Sequence, residues 1–257
     1  MTPLQLLGGI AVGFVAGVLS GLFGVGGGIV MTPGLQLGLG AAPIVALATP
    51  LPVILPTALT GAWRYRKAGE IDLRAGGWMA VAGLPASAVG AQVTEYVDTH
   101  LLLLVTAALL GWQAVSVLRG STRLAAAADG GVTGRGAFLA IGALAGFVSG
   151  LLGIGGGIVM VPLMVAWLGM PLKRALGTSL AAIVLLVLPG TVVHAVHGNI
   201  DWALCAVLIL GAVPGARVGA GIALGTAERT LRILVGSFLL LVAVVYGLSE
   251  ARALFGG

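Results

Sequence analysis

The sequence predicts an all-α polytopic membrane protein: two inverted-topology repeats of about five membrane segments each, with a Gly-rich broken helical hairpin in each repeat. Three observations lead there. The chain is 59% hydrophobic and 8% charged over 257 residues, with a mean hydropathy of +1.14, which excludes a soluble globular domain of ordinary composition. The run Gly24-Val25-Gly26-Gly27-Gly28-Ile29-Val30-Met31 returns as Gly153-Ile154-Gly155-Gly156-Gly157-Ile158-Val159-Met160. Finally, loops that are basic in one half have no basic counterpart in the other.

The repeat covers the chain. With Gly17 set against Gly146, residues 17–33 agree with 146–162 at 12 of 17 positions. The same register pairs Ala46-Leu47-Ala48-Thr49-Pro50-Leu51 with Ala175-Leu176-Gly177-Thr178-Ser179-Leu180, and Gly69-Glu70-Ile71-Asp72 with Gly198-Asn199-Ile200-Asp201. Residues 1–118 therefore form a first membrane repeat, 119–135 a cytoplasmic linker rich in Gly and Ala, and 136–257 a second repeat.

Apolar segments in the first half fall at 4–23, 28–41, 43–63, 74–94 and 100–118, and in the second at 136–152, 157–169, 171–193, 202–223 and 229–248. A run of about 20 residues crosses about 30 Å of hydrocarbon. The second segment of each half is too short for that and reads as the returning arm of a hairpin whose tip is the glycine run. There, four of five positions are glycine, each costing a helix about 1 kcal/mol relative to Ala. The helix must break. In hydrocarbon a broken backbone survives only where it is buried in protein or lines a wet cavity, so two breaks of one design point to a binding site or pathway.

Basic residues orient the chain. Arg64, Arg66, Lys67 and Arg74 crowd one loop, whereas its counterpart, from His194 to Asp201, has no Lys or Arg. Lys173 and Arg174 stand where the first half has Ile44 and Val45. One topology places eleven of the thirteen basic residues in the cytoplasm, leaving Arg217 and Arg252, and puts Glu95, Asp98, Asp201 and Glu250 outside. It requires an odd number of crossings per half and both termini external, in the plasma (inner) membrane. The start, Met1-Thr2-Pro3-Leu4, lacks a basic region before its apolar run, so the first segment reads as a retained helix. The net charge of +5 reflects these loops and implies no nucleic-acid partner; Cys205 reads as core packing.

Gly-Leu-Phe-Gly-Val-Gly-Gly-Gly-Ile-Val-Met-Thr-Pro, from Gly21, and its echo Gly-Leu-Leu-Gly-Ile-Gly-Gly-Gly-Ile-Val-Met-Val-Pro, from Gly150, resemble the repeated signature of the TauE/SafE family of membrane transporters. The resemblance spans both halves. It implies secondary transport of sulfite, sulfonates or related organic anions, often outward. No nucleotide-binding Gly-x-x-x-x-Gly-Lys-(Ser/Thr) run is present. No cofactor or enzymatic activity is expected; the partners are a small anion, the bilayer and a possible coupling proton.

The glycine runs supply the candidate site. Gly24, Gly26, Gly27 and Gly28 lead into a segment starting at Ile29, so their backbone N–H groups and the positive helix end would cradle an anion. Gly153, Gly155, Gly156 and Gly157 would face them across a pseudo-two-fold axis near the midplane. The competing reading is that these glycines only permit close helix crossing. Thr49, Thr178 and Ser179 could line the site with hydroxyls, or bond to their own helix at i−4, as could Ser20 and Ser149. Arg217, whose counterpart is Ala88, could neutralise the anion at membrane depth or snorkel to the interface. His194 and His197 could relay coupling protons or sit blandly at the interface. A channel with the same cradle, or an intramembrane enzyme with a metal on the two histidines, are the readings from other classes.

Overall fold

The computed structural model describes residues 3–97, 99–118 and 134–255, and they are helical almost throughout. Helix α1 (Pro3–Phe23) runs to the first glycine run, and α2 (Gly28–Pro33) returns from it into a π-helical turn over Gly34–Gly38. Helices α3 (Pro43–Ala48) and α4 (Pro50–Lys67) form one interrupted span, followed by α5 (Leu73–Val93) and α6 (Thr99–Leu118). The second half has α7 (Arg135–Leu152), α8 (Gly157–Leu168), α9 (Leu172–Val196), α10 (Trp202–Gly225) and α11 (Glu228–Phe255). Among the described residues five spans are long and apolar enough to cross a membrane: Gln5–Phe23, Pro43–Lys67, Arg135–Leu152, Leu172–Val196 and Trp202–Gly225. This is an all-α polytopic membrane protein. The expected linker lies outside the described residues apart from Gly134 and Arg135, and Arg135 already opens α7; Asp98 lies outside them too.

Two local departures from the expected segments have a cause in the sequence. The first returning arm loses its α-helical winding after Pro33, because Gly34 and Gly38 stand where the second arm has Leu163 and Trp167. The third segment breaks at Thr49 because Pro50 has no N–H to donate to the Ala46 carbonyl. Its counterpart Ser179 keeps that donor, and α9 runs unbroken.

Packing follows small residues. Along α1, Gly13, Gly17 and Gly21 press so closely on the carbonyls of Leu208, Ala212 and Ala216 in α10 that any Cβ would strike backbone. Along α7, Gly142, Gly146 and Gly150 press in the same way on Met79, Gly83 and Ser87 in α5. These are one contact made twice, with the halves exchanged. In both ladders the residue numbers rise together, so α1 runs parallel to α10 and α7 parallel to α5.

Helices α4 and α9 fill the space between the two pairs. Leu51 and Ile54 of α4, with Leu47 of α3 before them, and Leu176, Leu180 and Ile183 of α9 are wholly buried. The same exchange holds for polar contacts. Asp72 caps α5 by accepting from the N–H groups of Arg74 and Ala75, and Asp201 caps α10 by accepting from those of Ala203 and Leu204. The N–H of Asp72 then donates to Thr178 Oγ1 at 2.9 Å, and that of Asp201 to Thr49 Oγ1 at 3.1 Å. Each half thus pins the other's capping turn.

Candidate functional site

Each glycine run is a tip where one helix ends and the next begins. Gly24, Gly26 and Gly27 hold φ of 69°, 87° and 91°, and Gly153, Gly155 and Gly156 hold 67°, 88° and 75°, a left-handed region that residues with a Cβ rarely adopt. The fourth glycine of each run has an ordinary φ and is required for another reason. A Cβ on Gly28 would lie 2.9 Å from both the Gly153 carbonyl oxygen and Ile154 Cα, and one on Gly157 would lie 2.7 Å from Val25 Cα. The tips therefore meet backbone to backbone. Ile54 and Ile183, repeat counterparts, pack under both: Ile54 Cγ2 and Ile183 Cγ2 come within 2.9 and 3.4 Å of a Cβ placed on Gly26.

Both tips are buried from Gly24 to Ile29 and from Gly153 to Ile158, yet their backbone donors are largely unspent. The Gly24 N–H donates to Ser20 O and the Gly153 N–H to Ser149 O, and bonding resumes with Val30 and Met31 to Gly27 O, and Val159 and Met160 to Gly156 O. Among the described residues, the amides between, Val25 to Ile29 and Ile154 to Ile158, donate to no protein acceptor. Buried amides are almost always paired, so two such groups of unspent donors set the tips apart from the rest of the backbone. Because α2 is only six residues long before its π turn, the first tip presents loop amides rather than the end of a long helix dipole. The 12-residue α8 adds a true helix N-terminus at the second.

Two hydroxyls share this property. Ser20 and Ser149 are 0% exposed, stand with Cβ 3.3 Å from where a Cβ of Gly27 or Gly156 would be, and among the described residues have no hydrogen-bond partner. Elsewhere hydroxyls bond back to their own helix, as Thr32, Thr57 and Thr191 do at i−4. A cavity of about 10 Å³ touches Ser20 and Gly27, no larger than a single water. The tips are closed on one another.

Of the other sequence-derived candidates, Ser179 joins the tip: its hydroxyl donates to Gly24 O at 2.7 Å and Leu176 O at 2.8 Å. Thr178 precedes it in α9 and Thr49 is Thr178's repeat counterpart, and both hydroxyls accept from the capping turns. Arg217 does not join. The face of α10 against α1 is set by Gly211, Gly215 and Gly219, and two residues on from Gly215, about 200° round the helix, Arg217 is exposed on the opposite side. The histidines are also apart from the tips. His194 is buried near the far end of α9, its Nδ1 3.2 Å from Asn199 Nδ2; His197 is exposed just beyond that end. His194 occupies the repeat position of Tyr65, a buried side chain whose hydroxyl donates to Gly21 O at 3.0 Å. Among the described residues no three His, Cys, Asp or Glu side chains come together as metal ligands.

Sequence reasoning missed Ile54 and Ile183, which had no signal beyond their repeat register, and left Ser20 and Ser149 undecided.

The described architecture has matching sequences. The family model described as "Sulfite exporter TauE/SafE" covers residues 9–246. The chain is 29% identical to the "Probable membrane transporter protein YunE" of Bacillus subtilis, over 91% of this chain and 94% of that one. It is 30% identical to the "Probable membrane transporter protein YdhB" of the same organism, over 82% and 87%, and 28% identical to a probable membrane transporter protein of Methanocaldococcus jannaschii, over 90% and 91%. No solved structure matches. With both glycine tips and nearly the whole length included in the match, this chain belongs to the TauE/SafE family of membrane transporters.

Proposed function

We propose that the chain is a secondary carrier that moves a small oxyanion, sulfite, a sulfonate or a related organic anion, across the plasma membrane by alternating access, as two inverted repeats. The observation that carries this is the pair of buried tips with unspent amides, meeting where the two halves exchange their contacts. The helix ladders support the inversion. Helix α4 runs parallel to α10, with Thr49 at Asp201 near their starts and Arg64 at Gly221 near their ends, so the parallel pairs α1 with α10 and α5 with α7, together with the tight turn between α4 and α5, leave α1 antiparallel to its repeat counterpart α7. The substrate class draws on the family description and on the unspent amide donors of the tips.

In the closed arrangement the tips touch, so an anion reaches the amides only when one half shifts against the other. Binding would then occupy Gly24 to Gly28, Gly153 to Gly157, Ser20 and Ser149, with Ser179 fixing the first tip. A static pore has no use for such a contact, so a carrier is preferred to a channel. Proteoliposomes loaded with unlabelled sulfite or methanesulfonate test this. A carrier accumulates labelled trace substrate by counterflow, and Gly27→Leu and Gly156→Leu each abolish it. Flux without counterflow would make the protein a channel, and undiminished uptake by both variants would reduce the glycine runs to packing.

A further inference from the structure

Two cavities open onto the bundle, and the repeat register relates them. The larger, about 550 Å³, is lined by Asp72, Arg74, Arg135 and Arg174 along with Trp78 and Met170. The smaller, about 330 Å³, is lined by Asp201, Leu204, Val45 and Ala41 among others. Asp201 is the counterpart of Asp72, Val45 of Arg174 and Ala41 of Met170. Where the first has Arg74, Arg135 and Arg174, the repeat register places Ala203, Leu6 and Val45. One vestibule carries three guanidiniums against one carboxylate; its mate keeps the carboxylate alone.

We propose that the Arg74, Arg135 and Arg174 vestibule is an oxyanion-binding site that captures substrate on that face before it reaches the tips. This rests on the transport reading above and names where its substrate first binds. Three long helices, α5, α7 and α9, direct their N-termini into the cavity at Asp72, Gly134 and Pro171, and positive helix ends add to the arginine field. The arginines are placed rather than scattered. Arg135 lies 5.2 Å over the Trp78 ring, and Arg174 reaches Asp72 at 3.4 Å, an exposed pair that an incoming oxyanion can replace with a bidentate contact. The neighbouring Lys173 is committed elsewhere, donating to Leu224 O at 2.8 Å. One helical turn below Arg174 is Thr178, holding Asp72, and the next residue, Ser179, holds the first tip through Gly24. The floor of this vestibule is thus the roof of that tip. Arginines that served only to orient the chain in the bilayer would satisfy the same loop charge without sharing a cavity.

The shared chemistry is a small sulfonate, sulfite or phosphate group, free or on a lipid, and the test separates the sources. The full chain in phosphatidylcholine nanodiscs is titrated with methanesulfonate, with choline chloride as an ionic-strength control, while tryptophan emission is followed. A saturable change that disappears in Trp78→Phe is expected, weakened about tenfold in Arg135→Gln or Arg174→Gln and only partly restored in Arg174→Lys, which keeps the charge without the fork, with melting temperatures unchanged. No saturable change, one that survives Trp78→Phe, or one undiminished in the arginine variants overturns the proposal. A response to added phosphatidylglycerol but not to methanesulfonate also overturns it, giving the cavity to lipid headgroups. Gly27→Leu, expected to stop transport at the tips, should leave the titration at Trp78 intact; if that titration stands while wild-type counterflow fails, the vestibule survives and the transport reading does not.

Discussion

Ser20 and Ser149 carry the sharpest consequence at the scale of single residues, because the fold makes no use of their hydroxyls. A buried hydroxyl without a partner costs about 1–3 kcal/mol, so Ser20→Ala with Ser149→Ala should leave the melting temperature unchanged or raise it. If those hydroxyls meet the anion, transport in the same double variant should fall at least about tenfold; full transport would return them to packing. Ser179→Ala is the opposite case. It removes a donor from Gly24 O and should cost about 1 kcal/mol of stability, read as a lower thermal midpoint. Arg217, exposed on the far face of α10, should be replaceable by Ala with the KM for substrate unchanged; a KM rise of tenfold would bring it back to the site. The sequence could pair Ser20 with Ser149 by register, but which way a hydroxyl turns depends on the opposing helix, and that information is not local. The same holds for Arg217, whose place in an apolar segment is legible and whose face is not.

At the scale of elements, the two tips were readable because glycine is the residue that tolerates both left-handed φ and backbone contact, and both demands are met here. The breaks beyond them were less so. Pro50 and the Gly34 to Gly38 stretch are visible in the sequence, but whether a proline kinks or only interrupts a span depends on what packs around it. The glycine ladders have partners that emerge only in three dimensions. They make a firm prediction. Gly17→Leu and Gly146→Leu each push a side chain into the backbone of the facing helix, at Ala212 and Gly83 respectively, an overpacking no rotamer can relieve. Both should lose the monodisperse peak in size-exclusion chromatography. Gly77→Leu, at a position with nothing within 4 Å, should keep it. Equal behaviour of all three would mean the ladders do not hold α1 to α10 and α5 to α7.

For the molecule as a whole, inversion of the halves was suggested by where Lys and Arg fall, and the helix directions support it by an independent route. Charge placement reports how the chain meets the bilayer, whereas parallel ladders report how its helices meet each other, so agreement between them is informative. Ala68 and His197 are repeat counterparts, both exposed at the turn after α4 and α9. In two inverted repeats these turns emerge on opposite faces of the membrane; in two repeats related by an axis along the membrane normal they would emerge on the same face. The only cysteine, Cys205, is buried and is replaced by Ser to give a background. A membrane-impermeant maleimide added to intact cells should then label His197→Cys, beside the loop without Lys or Arg, and should label Ala68→Cys, beside Arg64, Arg66 and Lys67, only after permeabilisation. Labelling of both from one side would dismantle the inverted arrangement, and with it the reason for expecting the two tips to serve opposite faces in turn.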